Sequence, residues 1–222
     1  MSGKTRIADE LERMKALEST EGPEGHWVST NELNEAIKAL EMVRDFLTKV
    51  TKDEYYWKWV IIVLHNCLQN FMVCALKGTN GLTPLKDNGK KWLKAYRNGF
   101  KNGYPKNYPS LDRFPNLYKK IKSEKMLRFT NSRKFCSQGQ QDWSVNRLNE
   151  LRNYFVHFTP GGWCLEVSGL PKIVEDCIAV IEFLAFESHN MLYYEENMQN
   201  KIGKLIKEIR CEIDRIEAIC NP

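Results

Sequence analysis

Hydrophobic residues recur along most of this chain at intervals of three and four positions, with polar residues between them. This spacing is typical of amphipathic helices, which bury one face and expose the other. The predicted helices cover residues 5–18, 29–50, 53–76, 88–98, 110–122, 144–158 and nearly all of the chain after 170. The pattern therefore predicts an all-α fold.

Several residues predict where these helices begin and end. Ser29 and Glu32 have the spacing of a capping box, and Gly78 is placed to end the helix over 53–76. Ser144 is the expected N-cap of the helix over 144–158, which stops before Pro160 because proline disfavours helical geometry at the preceding residue. A small extended segment, with a hairpin as one possible form, is expected to follow that helix.

The helix over 53–76 is apolar almost all round and is long enough to span a bilayer. Lys58, His65 and Asn66 interrupt its apolar surface, and polar residues at such positions favour a buried core helix over a membrane span. We therefore expect no membrane association.

The C-terminal residues 198–222 form an amphipathic helix with a stripe of isoleucines at heptad-like spacing, ending at Cys220. Two interpretations are open for this stripe. It packs against the chain's own helices, which is favoured because the repeat lasts under three heptads, or it pairs with a second chain as a coiled coil.

Composition sets the class of protein. The chain has 222 residues, and its 13 Gly and 8 Pro leave little turn material for a many-stranded sandwich or barrel. Seven cysteines include no C-x-x-C pair, and no apolar signal segment opens the sequence. We expect one helical domain over 1–222, in a reduced, cytoplasmic compartment, with neither a metal site nor a cofactor.

Charge is strongly segregated within a net charge of +5. Residues 86–134 hold 15 Lys/Arg against three acids, a local charge of +12, and eight aromatic residues lie among them, whereas the rest of the chain carries −7. Cations interleaved with rings suit single-stranded RNA, which offers phosphates and base faces. We read 86–134 as a basic insertion with Lys90, Lys91, Lys94 and Arg97 as RNA-binding residues; a solvated surface with inward-facing rings is the alternative.

Arg152, Asn153 and His157 carry the clearest chemistry. Asn153 and His157 are four residues apart and share a helical face, while the long Arg152 side chain can swing toward the same site. An arginine can stabilise charge on a phosphate, and a histidine near a helix C-terminus can transfer protons near neutral pH. The structural alternative is that Arg152 pairs with Glu150 or Glu166 and that His157 only caps its helix.

The R-N-x-x-x-H motif of Arg152, Asn153 and His157, on a late helix of a small helical bundle, resembles the HEPN superfamily of ribonucleases. The likeness extends loosely over 31–219 and is specific only around the motif. It implies an up-down helical bundle, a homodimer with a composite active site, and metal-independent cleavage of RNA. On that pattern Arg152 stabilises the phosphate, Asn153 is the polar positioning residue, and His157 is the acid–base residue.

The sequence therefore supports one leading hypothesis about the function and two alternatives. The leading reading is a metal-independent endoribonuclease of toxin or phage-defence biology, with an antitoxin or regulatory protein as a further partner. The first rival is a catalytically silent module that binds RNA, a nucleotide or a protein. The second is a helical scaffold that dimerises through the isoleucine stripe.

His65, inside the helix over 53–76, is interpreted as a satisfied buried polar group, or as a second catalytic group if its helix faces Arg152.

Overall fold

A computed structural model of the chain describes residues 27–79, 81–86, 88–103, 110–157, 161–162, 164–193 and 196–220. The helix predicted over 5–18 lies outside these residues. The α-helices are α1 (Glu32–Val50), α2 (Tyr56–Lys77), α3 (Asn88–Arg97), α4 (Phe114–Ile121), α5 (Gln141–Val156), α6 (Leu170–Glu182) and α7 (Glu196–Cys220). The described part of the chain contains no strand, so the all-α prediction is confirmed and no hairpin forms within its residues after α5.

The chain divides into two compact units. One, the α3 unit, contains Leu85–Ser110, grouped with the chain up to Thr30. The other, the bundle, contains Asn31–Pro84 and the chain from Leu111 onward. The basic range 86–134 is thus shared between the units: α3 lies in the first, whereas α4 contributes its apolar face to the core of the second.

Helix α2 is the central helix of the bundle, because it contacts α1, α4, α5 and α6. Among the described residues it is the one helix long and apolar enough to cross a membrane, and 61% of its most apolar window is buried inside the protein. The predicted buried core helix is therefore present. It ends where expected, at Gly78, whose φ of +53° suits a residue without a side chain.

Two predicted helix starts are wrong. Helix α1 is capped by Asn31, whose Oδ1 accepts hydrogen bonds from the backbone N–H groups of Leu33 and Asn34. Ser29 lies outside the helix and forms no capping box. Helix α5 begins at Gln141, three residues before Ser144. Ser144 is buried within the helix, where its hydroxyl donates to the Asp176 carboxylate at 2.6 Å.

The chain after residue 170 is mostly helical, as predicted, with a break between α6 and α7. Helix α6 passes into a π-helical turn over Phe183–Glu187, and the chain leaves helical geometry at the buried residues Ser188 and Asn190. Asn190 Nδ2 donates to the Met126 carbonyl at 2.6 Å, and the Ser188 carbonyl accepts from the Arg133 N–H at 3.0 Å. A continuing helix could not offer these groups to the 126–133 segment.

The isoleucine stripe of α7 packs within its own chain. Ile202, Ile206, Ile209, Ile213 and Ile216 are each at most 4% exposed, and α7 contacts α1 and α6. The intramolecular interpretation is confirmed. A scaffold that dimerises through this stripe is excluded, because the face it needs is already buried.

Candidate functional site

Helix α5 carries the motif at its C-terminal end. Its inner face, which includes Leu148, Leu151 and Phe155, is buried in the bundle core. Asn153 and His157 lie on the exposed side, and Arg152 is half-buried. His157 is the C-cap residue of α5, and its backbone N–H still donates to the Asn153 carbonyl at 2.9 Å.

Arg152 is directed toward Asn153 and away from the nearby acids. Its Nη1 donates to Asn153 Oδ1 at 3.1 Å. Glu150 pairs with Arg147 instead, at 3.1 Å, and Glu166 accepts from the Ser168 hydroxyl at 2.7 Å. Within the described residues Arg152 forms no ion pair, so the structural pairing with Glu150 or Glu166 is absent and the guanidinium retains donors for an anion.

Arg152 and His157 leave α5 in different directions. Five residues along a helix correspond to a rotation of about 140° and a rise of about 7.5 Å. The Arg152–Asn153 hydrogen bond brings the guanidinium part of the way toward the His157 side. One α5 helix therefore presents a cation and an imidazole at neighbouring but distinct positions.

His65 lies beneath the motif face, on α2, which contacts α5. Its Nε2 lies 3.2 Å from Asn149 Oδ1, to which the Nε2–H tautomer donates, and its ring stacks on Phe114 at a centroid distance of 4.0 Å. Burial lowers the pKa of His65 to about 4; the Asn149 hydrogen bond opposes this shift and the positive charge of Arg152 adds to it. His65 is therefore a neutral neighbour of the motif, and its helix does face Arg152.

Asn149 was missed by sequence reasoning. It precedes Arg152 by three residues and Asn153 by four, so it lies on the same side of α5. The spacing could have placed Asn149 on the motif side of α5. Its hydrogen-bond partner, His65, is 84 residues away in the chain and could not be predicted from spacing.

Polar contacts fix the N-terminal end of α5. The Asp142 carboxylate accepts from Lys122 Nζ at 2.6 Å, from the Tyr118 hydroxyl at 2.9 Å and from the Ser137 hydroxyl at 3.0 Å. The bond to Lys122 is the main cause of a lowered Asp142 pKa, so the carboxylate stays charged at neutral pH. These contacts tie the motif helix to α4.

The four predicted RNA-binding residues lie on α3, in the other unit. Lys90, Lys94 and Arg97 follow each other at i, i+4 and i+7, which places them along one stripe of the helix. All four, including Lys91 beside the stripe, are exposed, and none forms an ion pair with another described residue. The stripe therefore presents positive charge to solvent without a carboxylate partner in the described part of the chain.

The cations of 111–134 behave differently, because half of them have carboxylate partners. The ion pairs are Lys120–Asp112 at 2.7 Å, Lys122–Asp142 at 2.6 Å, Arg133–Glu187 at 3.5 Å and Lys134–Glu124 at 2.6 Å. Half of the cations of this range are thus paired with carboxylates within the bundle.

Comparison of the chain with models of known protein families, with curated proteins and with solved structures found no match. In the part of the chain that the structure describes, no group of three or more His, Cys, Asp or Glu side chains could hold a metal ion.

Proposed function

We propose that this protein is a metal-independent endoribonuclease of the HEPN type, cleaving RNA at the exposed end of α5. The observation that carries the proposal is the Arg152–Asn153 pair, a guanidinium hydrogen-bonded to an amide beside the exposed His157. Since no described carboxylate neutralises Arg152, its charge is available to a phosphate.

In the proposed reaction the ribose 2′-oxygen attacks the adjacent phosphorus and the bond from phosphorus to the 5′-oxygen breaks. The products carry a 2′,3′-cyclic phosphate and a 5′-hydroxyl. A base removes the proton of the 2′-hydroxyl and an acid supplies one to the leaving oxygen. His157 acts in this proton transfer, Arg152 stabilises the charge that develops on the phosphate, and Asn153 holds the guanidinium in place.

A homodimer completes this site in the proposal. Acid and base are two roles, and each chain offers one exposed histidine at the end of α5. The 140° between Arg152 and His157 along one helix also favours a site that combines residues from two copies. The protein then works in the cytoplasm, in toxin or phage-defence biology, where an antitoxin or regulatory protein restrains it.

A second candidate function is an RNA-binding module without catalysis. It is favoured by the stripe of Lys90, Lys94 and Arg97, which supplies phosphate contacts whether or not cleavage follows. In such a binding module Arg152 and Asn153 contribute one more phosphate contact.

The test is incubation of purified protein with mixed cellular RNA in EDTA. We expect the wild type to release fragments ending in 2′,3′-cyclic phosphate, and Arg152→Ala and His157→Ala each to lower the rate at least about 100-fold. Circular dichroism and gel filtration should show unchanged folding and assembly. Arg215→Ala on α7 and His189→Asn serve as controls that should cut at the wild-type rate.

The outcomes separate the two candidates. If either motif variant cuts as fast as the wild type, the site assignment is wrong. If RNA is bound but never cut, the binding module replaces the nuclease.

A further inference from the structure

A cavity of about 350 Å³ lies beside the motif. It is bounded by one face of α5, from Arg147 to Phe155, and by Cys164–Glu166 in the extended segment that follows. This volume falls within the ~300–1,000 Å³ of small-molecule sites. It is therefore large enough for a flat ring of the size of a nucleobase.

The cavity is adjacent to the proposed catalytic histidine. Tyr154, which lines it, precedes His157 by three residues, so their Cβ atoms lie about one helical turn apart, roughly 5–6 Å. The Tyr154 side chain is 49% exposed, and the ring of Phe155 supports it at a centroid distance of 5.9 Å. An exposed ring of this kind offers a stacking face to a base whose phosphate lies at His157.

The charges of the cavity favour a base over a phosphate. Two carboxylates, Glu150 and Glu166, line it with a single cation, Arg147, and that cation already pairs with Glu150 at 3.1 Å. Among the described residues Glu166 accepts one hydrogen bond, from Ser168, and an ionised carboxylate has about four acceptor positions. Glu166 can therefore accept two more hydrogen bonds from a ligand.

Guanine is the base that matches a carboxylate with two open positions. Its Watson–Crick edge places two donors, N1–H and the N2 amino group, side by side. Adenine, cytosine and uracil each place an acceptor next to a donor on that edge, and the acceptor would face a carboxylate oxygen. Bases extruded from a strand are read on this edge and by stacking.

We propose that this cavity binds the base of the nucleotide next to the cleaved bond and prefers guanine, with Tyr154 stacking on the ring and Glu166 reading its Watson–Crick edge. The proposal rests on the RNA-cleaving function inferred above for His157. It adds a substrate preference to that function.

The experiment measures binding of guanosine 3′-monophosphate and adenosine 3′-monophosphate to the full chain, by titration followed with NMR or calorimetry. We expect the guanosine nucleotide to bind at least about tenfold more tightly. Glu166→Gln should remove that preference, because the amide offers a donor in place of one acceptor oxygen. Tyr154→Ala should weaken both nucleotides about fivefold or more, whereas Glu212→Gln, a carboxylate variant on α7, should change neither.

Equal affinity for the two nucleotides, a preference retained in Glu166→Gln, or no binding of either nucleotide would overturn the proposal. A cleavage assay run in parallel keeps the two inferences apart. RNA cleavage without guanosine binding would refute the base site and leave the nuclease standing. Guanosine binding without cleavage would refute the nuclease and leave the base site standing.

Discussion

His65 and His157 differ in their surroundings, and this difference bears on which of them could transfer protons in the proposed reaction. The His65 ring is buried against Phe114 and lies close to the positive charge of Arg152, so it is neutral throughout the physiological range. A histidine that is not in its imidazolium form at pH 7 cannot serve as the general acid there. His157 is exposed at the end of α5, and the proposed reaction therefore assigns the proton transfer to it, whereas His65 forms a hydrogen bond with Asn149.

The buried His65 predicts a pH dependence of stability. Its pKa of about 4 in the folded protein lies below the ordinary value of 6.5, so between these values the unfolded chain binds a proton that the folded chain does not. The free energy of unfolding therefore falls as the pH is lowered through this window, by about 2 kcal/mol between pH 7 and 4.5 for this one group. Urea unfolding of wild type and His65→Gln at both pH values measures the difference.

In His65→Gln we expect the loss between pH 7 and 4.5 to be smaller by about that amount. His189→Asn, which removes an exposed histidine, is the matched control and should retain the wild-type dependence. Identical pH dependence in wild type and His65→Gln would mean that His65 is not the titrating group.

At the scale of the helices, the sequence pattern was sufficient to predict each α-helix of the described residues but not its ends. Helices α1 and α2 lie within a few residues of their predicted ranges because their own apolar positions define them, and α3 does so because glycines and prolines leave room only for a short helix there. Near the start of α5, Ser144 contacts Asp176, 32 residues away, and in the break after α6, Asn190 contacts Met126, 64 residues away. Contacts between residues so far apart cannot be predicted from the local sequence. For the same reason the pairing of Asn149 with His65 was not predicted.

The cap of α1 provides a direct test of one such correction. Asn31→Ala removes the oxygen that accepts from two backbone N–H groups, and we expect a loss of about 1 kcal/mol in the free energy of unfolding. Ser29→Ala, two residues earlier, should change it by less than about 0.5 kcal/mol. Urea unfolding followed by circular dichroism makes the comparison. A larger loss of unfolding free energy in the Ser29 variant would show that Ser29, and not Asn31, caps the helix.

At the scale of the whole molecule, the structure redistributes the charge that the sequence places in one basic range. Four of the cations after Ser110 are neutralised by ion pairs within the bundle. The exposed stripe of α3 has no such partners among the described residues. If RNA binds to this protein through phosphates, the α3 stripe should therefore account for more of the affinity than its share of the total charge.

Salt dependence measures this contribution, because each phosphate contact with a single strand changes the slope of log K against log salt by about 0.7. Replacing Lys90, Lys91, Lys94 and Arg97 together with glutamine should weaken binding of single-stranded RNA and reduce the slope by up to about 3. The control replaces four exposed lysines outside the basic range, Lys38, Lys52, Lys204 and Lys207, with the same loss of net charge. Since long-range attraction is screened beyond about 10 Å at 0.1 M salt, the control should lower affinity only slightly and leave the slope nearly unchanged. Equal slopes in both quadruple variants would show that net charge alone attracts RNA and that α3 is an ordinary solvated surface.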